Sequence, residues 1–292
     1  MRVERRNGNL EHFIYNAGEF PAYITKGLLS SSPNYAFLPH WHEEVEFTVL
    51  LSGHMDYHIN EQNLRLQEGE GIFINARQIH GNYSREKLEC EYICIIFHPM
   101  LLCASQYIER KFISPVTDNP AYPCQPLRRD SPWGQRICRK LEKIYEQWGE
   151  PESQLAVQAA FFQIWEELYQ NAPLAKEIPK PRSQNLHALK NMIAYIQKNY
   201  RSRLSLEDIA QAGNMSKTSC CNLFQKYVNQ SPNAYLIEYR LRNGIELLRT
   251  TDMTVTEICG EVGFNGPSYF SESFRKAFGC SPMEFRKKAW KK

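Results

Sequence analysis

No apolar run in the 292 residues approaches the roughly 20 that a membrane-spanning helix needs. The start, MRVERRNGNL, is charged where a secretory signal would turn apolar. Together these two absences predict a soluble, cytoplasmic protein with no membrane partner. The nine cysteines repeat no zinc-finger spacing, and in such a compartment they are expected to be reduced thiols in the core. There is no phosphate-cradling glycine loop, and no Ser-His-Asp or Cys-His arrangement follows from spacing. Nothing in these patterns points to nucleophilic catalysis.

What is present is sorted unevenly along the chain. From Ser183 onward 16 Lys and Arg face 9 Asp and Glu, a balance of +7, which leaves 19 against 23, or −4, in the first 182 residues. A basic C-terminal part beside an acidic N-terminal part suggests that the former meets a polyanion. The length allows two domains, each with its own core.

Between about Tyr35 and Pro99 short runs rich in β-branched and aromatic residues alternate with turn clusters. Phe47 to Leu51, Met55 to Ile59, Leu64 to Leu66, Ile72 to Ile74 and Tyr92 to Phe97 read as closely spaced strands of a sandwich or barrel. The period then changes. Ile137, Leu141, Ile144, Tyr145 and Trp148, and again Val157, Phe161, Ile164, Trp165 and Leu168, fall on single helix faces. They predict a helical hairpin over residues 116–172 that turns at Gly149-Glu-Pro151. Its stripe could pack on the barrel or form a dimer seam, since periodicity shows that a face is buried and not against what. Dimerisation is the role expected of it. A Pro-rich, charged stretch over 173–184 then reads as a linker.

The remainder, 185–292, is helical and contains a repeat. Phe224 and Phe274, and Ser231 and Ser281, stand 50 residues apart, while Ile209 and Ile258 stand 49 apart, so the turn of the second copy differs in length by one residue. Each copy reads as a short helix, a tight turn and a second helix. Ser205-Leu-Glu-Asp208 and Thr254-Val-Thr-Glu257 open the first helices, the latter as a capping box. Gly263 supplies the second turn, Pro267 starts a helix and Gly279 ends one. Burying Cys220, Leu223, Phe224 and Tyr227 in copy one leaves Lys217, Thr218, Ser219, Asn222, Gln225 and Lys226 outside. Burying Phe270, Phe274, Ala277 and Phe278 in copy two leaves Ser268, Ser271, Glu272, Arg275 and Lys276 outside. A second helix with a small, polar outer face is what major-groove reading requires. The helix between the copies, about 18 residues at ~1.5 Å rise, would span about 27 Å, enough with side-chain reach to seat two recognition helices in successive major grooves. Arg240, Arg242, Arg249, Lys276 and Arg286 to Lys288 are the expected phosphate contacts.

Here a resemblance becomes specific. Val262-Gly-Phe264, Ser268-Tyr-Phe-Ser271, Phe274-Arg-Lys276 and Gly279-Cys-Ser-Pro282 resemble the second half of the AraC/XylS family DNA-binding domain. Ile209-Ala210, Met215-Ser216, Leu223-Phe224 and Ser231-Pro232 resemble its first half. The resemblance implies a tandem helix-turn-helix transcription regulator that senses a small molecule through its N-terminal domain. It also implies double-stranded DNA as a partner and, for an activator, RNA polymerase. Glu272 and Asn222 depart from the family, which often carries Arg at these positions.

The stretch His40-Trp-His-Glu-Glu-Val-Glu46 with Gly53 resembles the first motif of the cupin superfamily. Gly71 to His80 resembles the second, without its usual Pro-x-Gly. That resemblance implies a small β-barrel in residues 1–115 with a central pocket, and matches metal-binding positions to His40, His42, Glu46 and His80. On a regular strand His40, His42, Glu44 and Glu46 would share one face, and such ligands suit a divalent metal with open positions. In this reading no cofactor is required. His40, Trp41, His42, Glu46, Tyr57 and His80 are expected to bind a small polar effector, a sugar being the class that mixed aromatic and hydrogen-bonding groups favour. His54 and His58 are expected at the surface or the pocket rim. The competing class is a cupin-type metal-dependent enzyme with an appended helical domain.

Overall fold

The computed structural model describes residues 20–150, 152–173 and 183–289, together with two short paired strands, Val3–Glu4 and His12–Phe13. The chain divides into two compact units at Ser183. That boundary falls in the expected linker, of which residues 174–182 lie outside the described residues.

The N-terminal unit is built on two antiparallel sheets. Strands β1 (Ala22–Leu28), β2 (Val45–Ser52), β3 (His54–Ile59), β4 (Gln62–Gln67), β5 (Gly71–Ile74), β6 (His80–Tyr83), β7 (Glu91–Phe97) and β8 (Cys124–Leu127) form a five-stranded sheet, β8-β5-β2-β7-β1, and a three-stranded sheet, β4-β3-β6. The five expected strands are all present, while β1, β6 and β8 lie where no strand was expected. One cluster holds Leu50, Ile72, Ile74 and Tyr92 of the larger sheet together with Met55, Tyr57, Ile59 and Leu66 of the smaller. The two sheets therefore face each other across a shared apolar cluster, and the expected barrel takes this cupin-like form.

Alternate residues of β2 point the other way. Val45, Phe47 and Val49 join Phe73, Ile95 and Phe97 in a second cluster beneath the helices α1 (Pro132–Gln147) and α2 (Gln154–Asn171). Ser131 caps α1 by accepting from the Gly134 amide, and Pro132 occupies its first turn. Phe97 stacks on Phe161 with ring centroids 4.1 Å apart, and Phe73 meets Trp165 edge-on at 6.0 Å. Each fully buried side chain of this size contributes about 1.5–3 kcal/mol. The stripe Ile137, Leu141, Ile144, Val157, Phe161, Ile164 and Leu168 is thus buried on the outer face of the larger sheet. The hairpin belongs to the N-terminal unit and does not stand apart as a domain, and its apolar stripe is not a free dimer seam.

The C-terminal unit contains helices α3 (Ser183–Asn199), α4 (Leu206–Ala212), α5 (Lys217–Val228), α6 (Pro232–Thr250), α7 (Val255–Glu261), α8 (Pro267–Phe278) and α9 (Pro282–Ala289). Helices α4-α5 and α7-α8 are the two copies of the repeat. Both α4 and α7 begin with a full capping box, Ser205 with Asp208 and Thr254 with Glu257. The copies also match in backbone. Asn214 and Gly263 hold the left-handed conformation in the two turns, and Asn229 and Gly279 hold it where α5 and α8 end. Asparagine and glycine are the residues that adopt it at least cost. At Gly263 no side chain would fit, because a Cβ would stand 2.5 Å from the Tyr200 carbonyl oxygen. Helix α6 buries Tyr235, Leu236 and Tyr239 in its first half and Leu241, Ile245 and Leu248 in its second. Those last three share a core with Ile258, Val262, Phe270 and Phe274 of the second copy.

Candidate functional site

Strand β2 starts at Val45, so His40 to Glu44 do not extend it as period-two reasoning expected. His40 instead pairs with His80 as an isolated bridge, each amide donating to the other's carbonyl at 2.9 Å. The Arg77 amide donates to the His42 carbonyl at 2.7 Å and fixes the loop between. By this route, and not by strand alternation, the side chains of His40, His42, Glu46 and His80 converge. One donor atom from each lies within 4.8 Å of the others. His42, Glu46 and His80 are buried and His40 is half-buried.

The orientation of the rings is set by the backbone. Nδ1 of His40 lies 2.8 Å from the Leu38 carbonyl, Nδ1 of His42 3.0 Å from that of Glu44, and Nδ1 of His80 3.0 Å from that of Gln78. A carbonyl oxygen only accepts, so each Nδ1 carries a proton and each ring turns its Nε2 edge toward the cluster. Nε2 of His80 is 3.2 Å and Nε2 of His42 is 3.6 Å from the Glu46 carboxylate. Thr48 donates to the other carboxylate oxygen at 3.0 Å. Lone pairs and a carboxylate cannot face each other unless a proton on Nε2 or a cation lies among them. Burial opposes charge on Glu46, and hydrogen bonds and positive charge from His42 and His80 overcome it, holding the carboxyl well below its usual range. Imidazoles tied through Nδ1 to carbonyls, beside a carboxylate, are also the arrangement that orients histidines on a metal. The four residues therefore fit a divalent ion.

Sequence reasoning missed several groups around the cluster. The Cys94 thiol is pushed well up by burial and by the charge of Glu46, so it stays protonated. Tyr57, which the sequence did single out, is fully buried, and its phenol is raised for the same two reasons. Its hydroxyl and the Asn82 side-chain oxygen make no hydrogen bond among the described residues. Only the barrel register, in which Asn82 is paired with Tyr57, could have shown this. Trp41 is half-exposed and is not one of the four convergent groups. His54 bonds the exposed Glu86 at 3.2 Å, at the surface as expected, whereas His58 is buried and bonded to Asn63 at 2.8 Å.

In the C-terminal unit, Lys217, Thr218, Asn222, Gln225 and Lys226 of α5 are exposed, as are Ser268, Glu272, Arg275 and Lys276 of α8, while Ser219 and Ser271 are half-buried. Ser219 lies against its cap Ser216, with hydroxyls 3.0 Å apart. Lys217 is ion-paired with Glu207 of α4. The arginines expected on phosphates are largely engaged within the fold. Arg240 donates to the Tyr200 and Ser202 carbonyls, both at 2.7 Å, and Arg286 to those of Leu248 and Met253. Arg242 pairs with Glu238, and Arg249 pairs with Glu246 and covers the Phe285 ring. Lys276, Arg275 and Lys287 remain exposed.

Residues 27–165 match the AraC-like ligand binding domain and residues 209–288 match a helix-turn-helix domain. The chain is 29% identical over 271 residues to the HTH-type transcriptional regulator YdeC of Bacillus subtilis (strain 168), covering 92% of each. It is 25% identical over 264 residues to the melibiose operon regulatory protein of Escherichia coli (strain K12), covering 88% of this chain and 85% of that one. The fold resembles that of ToxT from Vibrio cholerae, with a TM-score of 0.51 at 10% identity over 91% of this chain and 98% of the other. With both halves matched and the repeat geometry in place, the chain belongs to the AraC family of DNA-binding transcription regulators that carry a ligand-binding domain.

Proposed function

We propose that this regulator senses a small polar effector at the His40, His42, Glu46 and His80 cluster, and that occupancy there sets how it binds DNA. The observation that carries the reading is the convergence of these four side chains beside a largely apolar cluster of the same unit. Buried polar groups that converge on one point offer a ligand several hydrogen bonds at once. An effector shifts the DNA-binding state only by its difference in affinity for two states of the protein. A sugar is the effector class, a reading supported by the name of the melibiose relative and by the unsatisfied Tyr57 and Asn82 groups.

A second reading is favoured by the three rings that backbone carbonyls hold through Nδ1. In it, a divalent metal ion sits among the same four residues, supplies positive charge, and is either the effector or the means of holding one. The chain performs no catalysis, acts in the cytoplasm as a homodimer and, where it activates, engages RNA polymerase. For the dimer, support comes from Leu155, 79% exposed on α2, and Phe162 one heptad on and half-buried.

The test is titration of metal-stripped protein with a panel of sugars and with Mn, Fe(II), Ni and Zn salts, read by calorimetry and by a gel-shift assay on DNA upstream of its own gene. Binding of either class, lost in His42→Ala and accompanied by a change in the shift, is expected. Turnover of a bound molecule without DNA binding would overturn the reading.

A further inference from the structure

Asn222 and Glu272 are the sixth residues of α5 and α8, 50 positions apart in matched copies of one repeat. Both are exposed, and neither makes a hydrogen bond or ion pair among the described residues. The intramolecular partner that could have neutralised Glu272 is therefore absent among those residues. We propose that these two positions read one base each at equivalent places in successive major grooves, Asn222 an adenine and Glu272 a cytosine.

The assignment follows from which hydrogen-bonding groups each base edge presents. A side-chain amide has a donor and an acceptor side by side, and adenine alone offers the matching N7 acceptor and N6 donor. A carboxylate only accepts. It is repelled by phosphates, by guanine O6 and N7, and by the N7 that adjoins the adenine amino group. The cytosine N4 amino group is the one major-groove donor without an acceptor next to it on the same base. An acid held at this place without an internal partner gains only where that amino group meets it. Arg275, three residues on, and Lys276 are exposed and without an ion pair among the described residues, so they can bind the partner guanine or the adjoining phosphates. Helix α6 meets Phe224 of the first copy through Tyr235 and packs its second half against Phe270 and Phe274 of the second, so the two bases lie about one helical turn apart, roughly 10 base pairs.

The inference rests on DNA binding by the two helix-turn-helix units. Its test is selection of bound duplexes from a randomised pool by the full-length protein, followed by measured affinities for the selected site. The wild type is expected to enrich an adenine and, about 10 base pairs away, a cytosine, with single changes at the cytosine lowering affinity by about tenfold. Glu272→Ala should lose the cytosine preference alone. Glu272→Asn should replace it with adenine, leaving the first position untouched. A cytosine still enriched by Glu272→Ala would overturn the assignment, as would a uniform gain in affinity for all sequences, which would make the carboxylate merely repulsive. A wild type that binds DNA but selects no motif would overturn base reading by both helices.

Discussion

Exchanging Glu46 for Gln changes one charge and almost no volume at the centre of the cluster. Glu46 is 4% exposed and lies 3.2 Å from Nε2 of His80 and 3.6 Å from that of His42. Removing one partner of a buried ion pair outright costs about 3–5 kcal/mol, whereas a hydrogen bond to a charged group contributes about 1.5–3 kcal/mol. Gln keeps an acceptor oxygen for Thr48, so the lower range applies. Four of the five tryptophans precede Ser183, so fluorescence-detected urea unfolding reports mainly on the N-terminal unit. Metal-stripped Glu46→Gln should unfold with a stability lower by about 1.5–3 kcal/mol. An ion at 100 times its dissociation constant should stabilise the wild type by about 2.7 kcal/mol. The variant should gain far less at the same concentration. A variant within about 0.5 kcal/mol of the wild type, the spread of ordinary surface changes, with no ion-dependent shift in either protein, would show that Glu46 neither holds the histidines nor completes a metal site.

The depressed carboxyl of Glu46 stabilises the fold above its unfolded value, about 4.3, and that contribution is lost as pH falls through the lower folded value. Acid titration of stability should therefore flatten in Glu46→Gln, and an unchanged acid limb would remove Glu46 from the linkage. Phe161→Ala should destabilise the N-terminal unit by about 3–5 kcal/mol, because the ring is fully buried against Phe97. A shift in dimerisation without loss of stability would instead place that face at a subunit interface. Arg275→Ala should weaken DNA binding and lower the salt slope by about one phosphate contact. Arg240→Met should leave the slope unchanged while lowering thermal stability, since its guanidinium holds two carbonyls, and a reduced slope would return Arg240 to the phosphates.

Much of the C-terminal unit was legible because its signals are local. Caps, turn residues and a 50-residue spacing state their structure without reference to distant chain, and Thr254, Gly263, Pro267 and Gly279 all stand as expected. The four cluster residues were legible by type, but not by the route that joins them. A bridge between His40 and His80 depends on pairing across 40 residues, and no period within one strand encodes it. The same limit hid the role of the hairpin stripe, which revealed burial but not the sheet beneath it. It also hid Arg240 and Arg286, where a cation reads as available for phosphate until the carbonyls at helix ends are located.

Strand β2 carries Glu46 and Thr48 on one face and Val45, Phe47 and Val49 on the other, and from Val45 to Leu50 every residue is buried. Because side chains alternate strictly, sliding this strand by one residue would push Phe47 among the histidines and Glu46 beneath the helices. Its register is thus locked twice, once by chemistry and once by packing. The strand has no slack that could accommodate a new ligand on one side without disturbing α1 and α2 on the other. Changes of specificity in this scaffold are consequently confined to alternate positions of β2 and to the loops that bring in His40, His42 and His80.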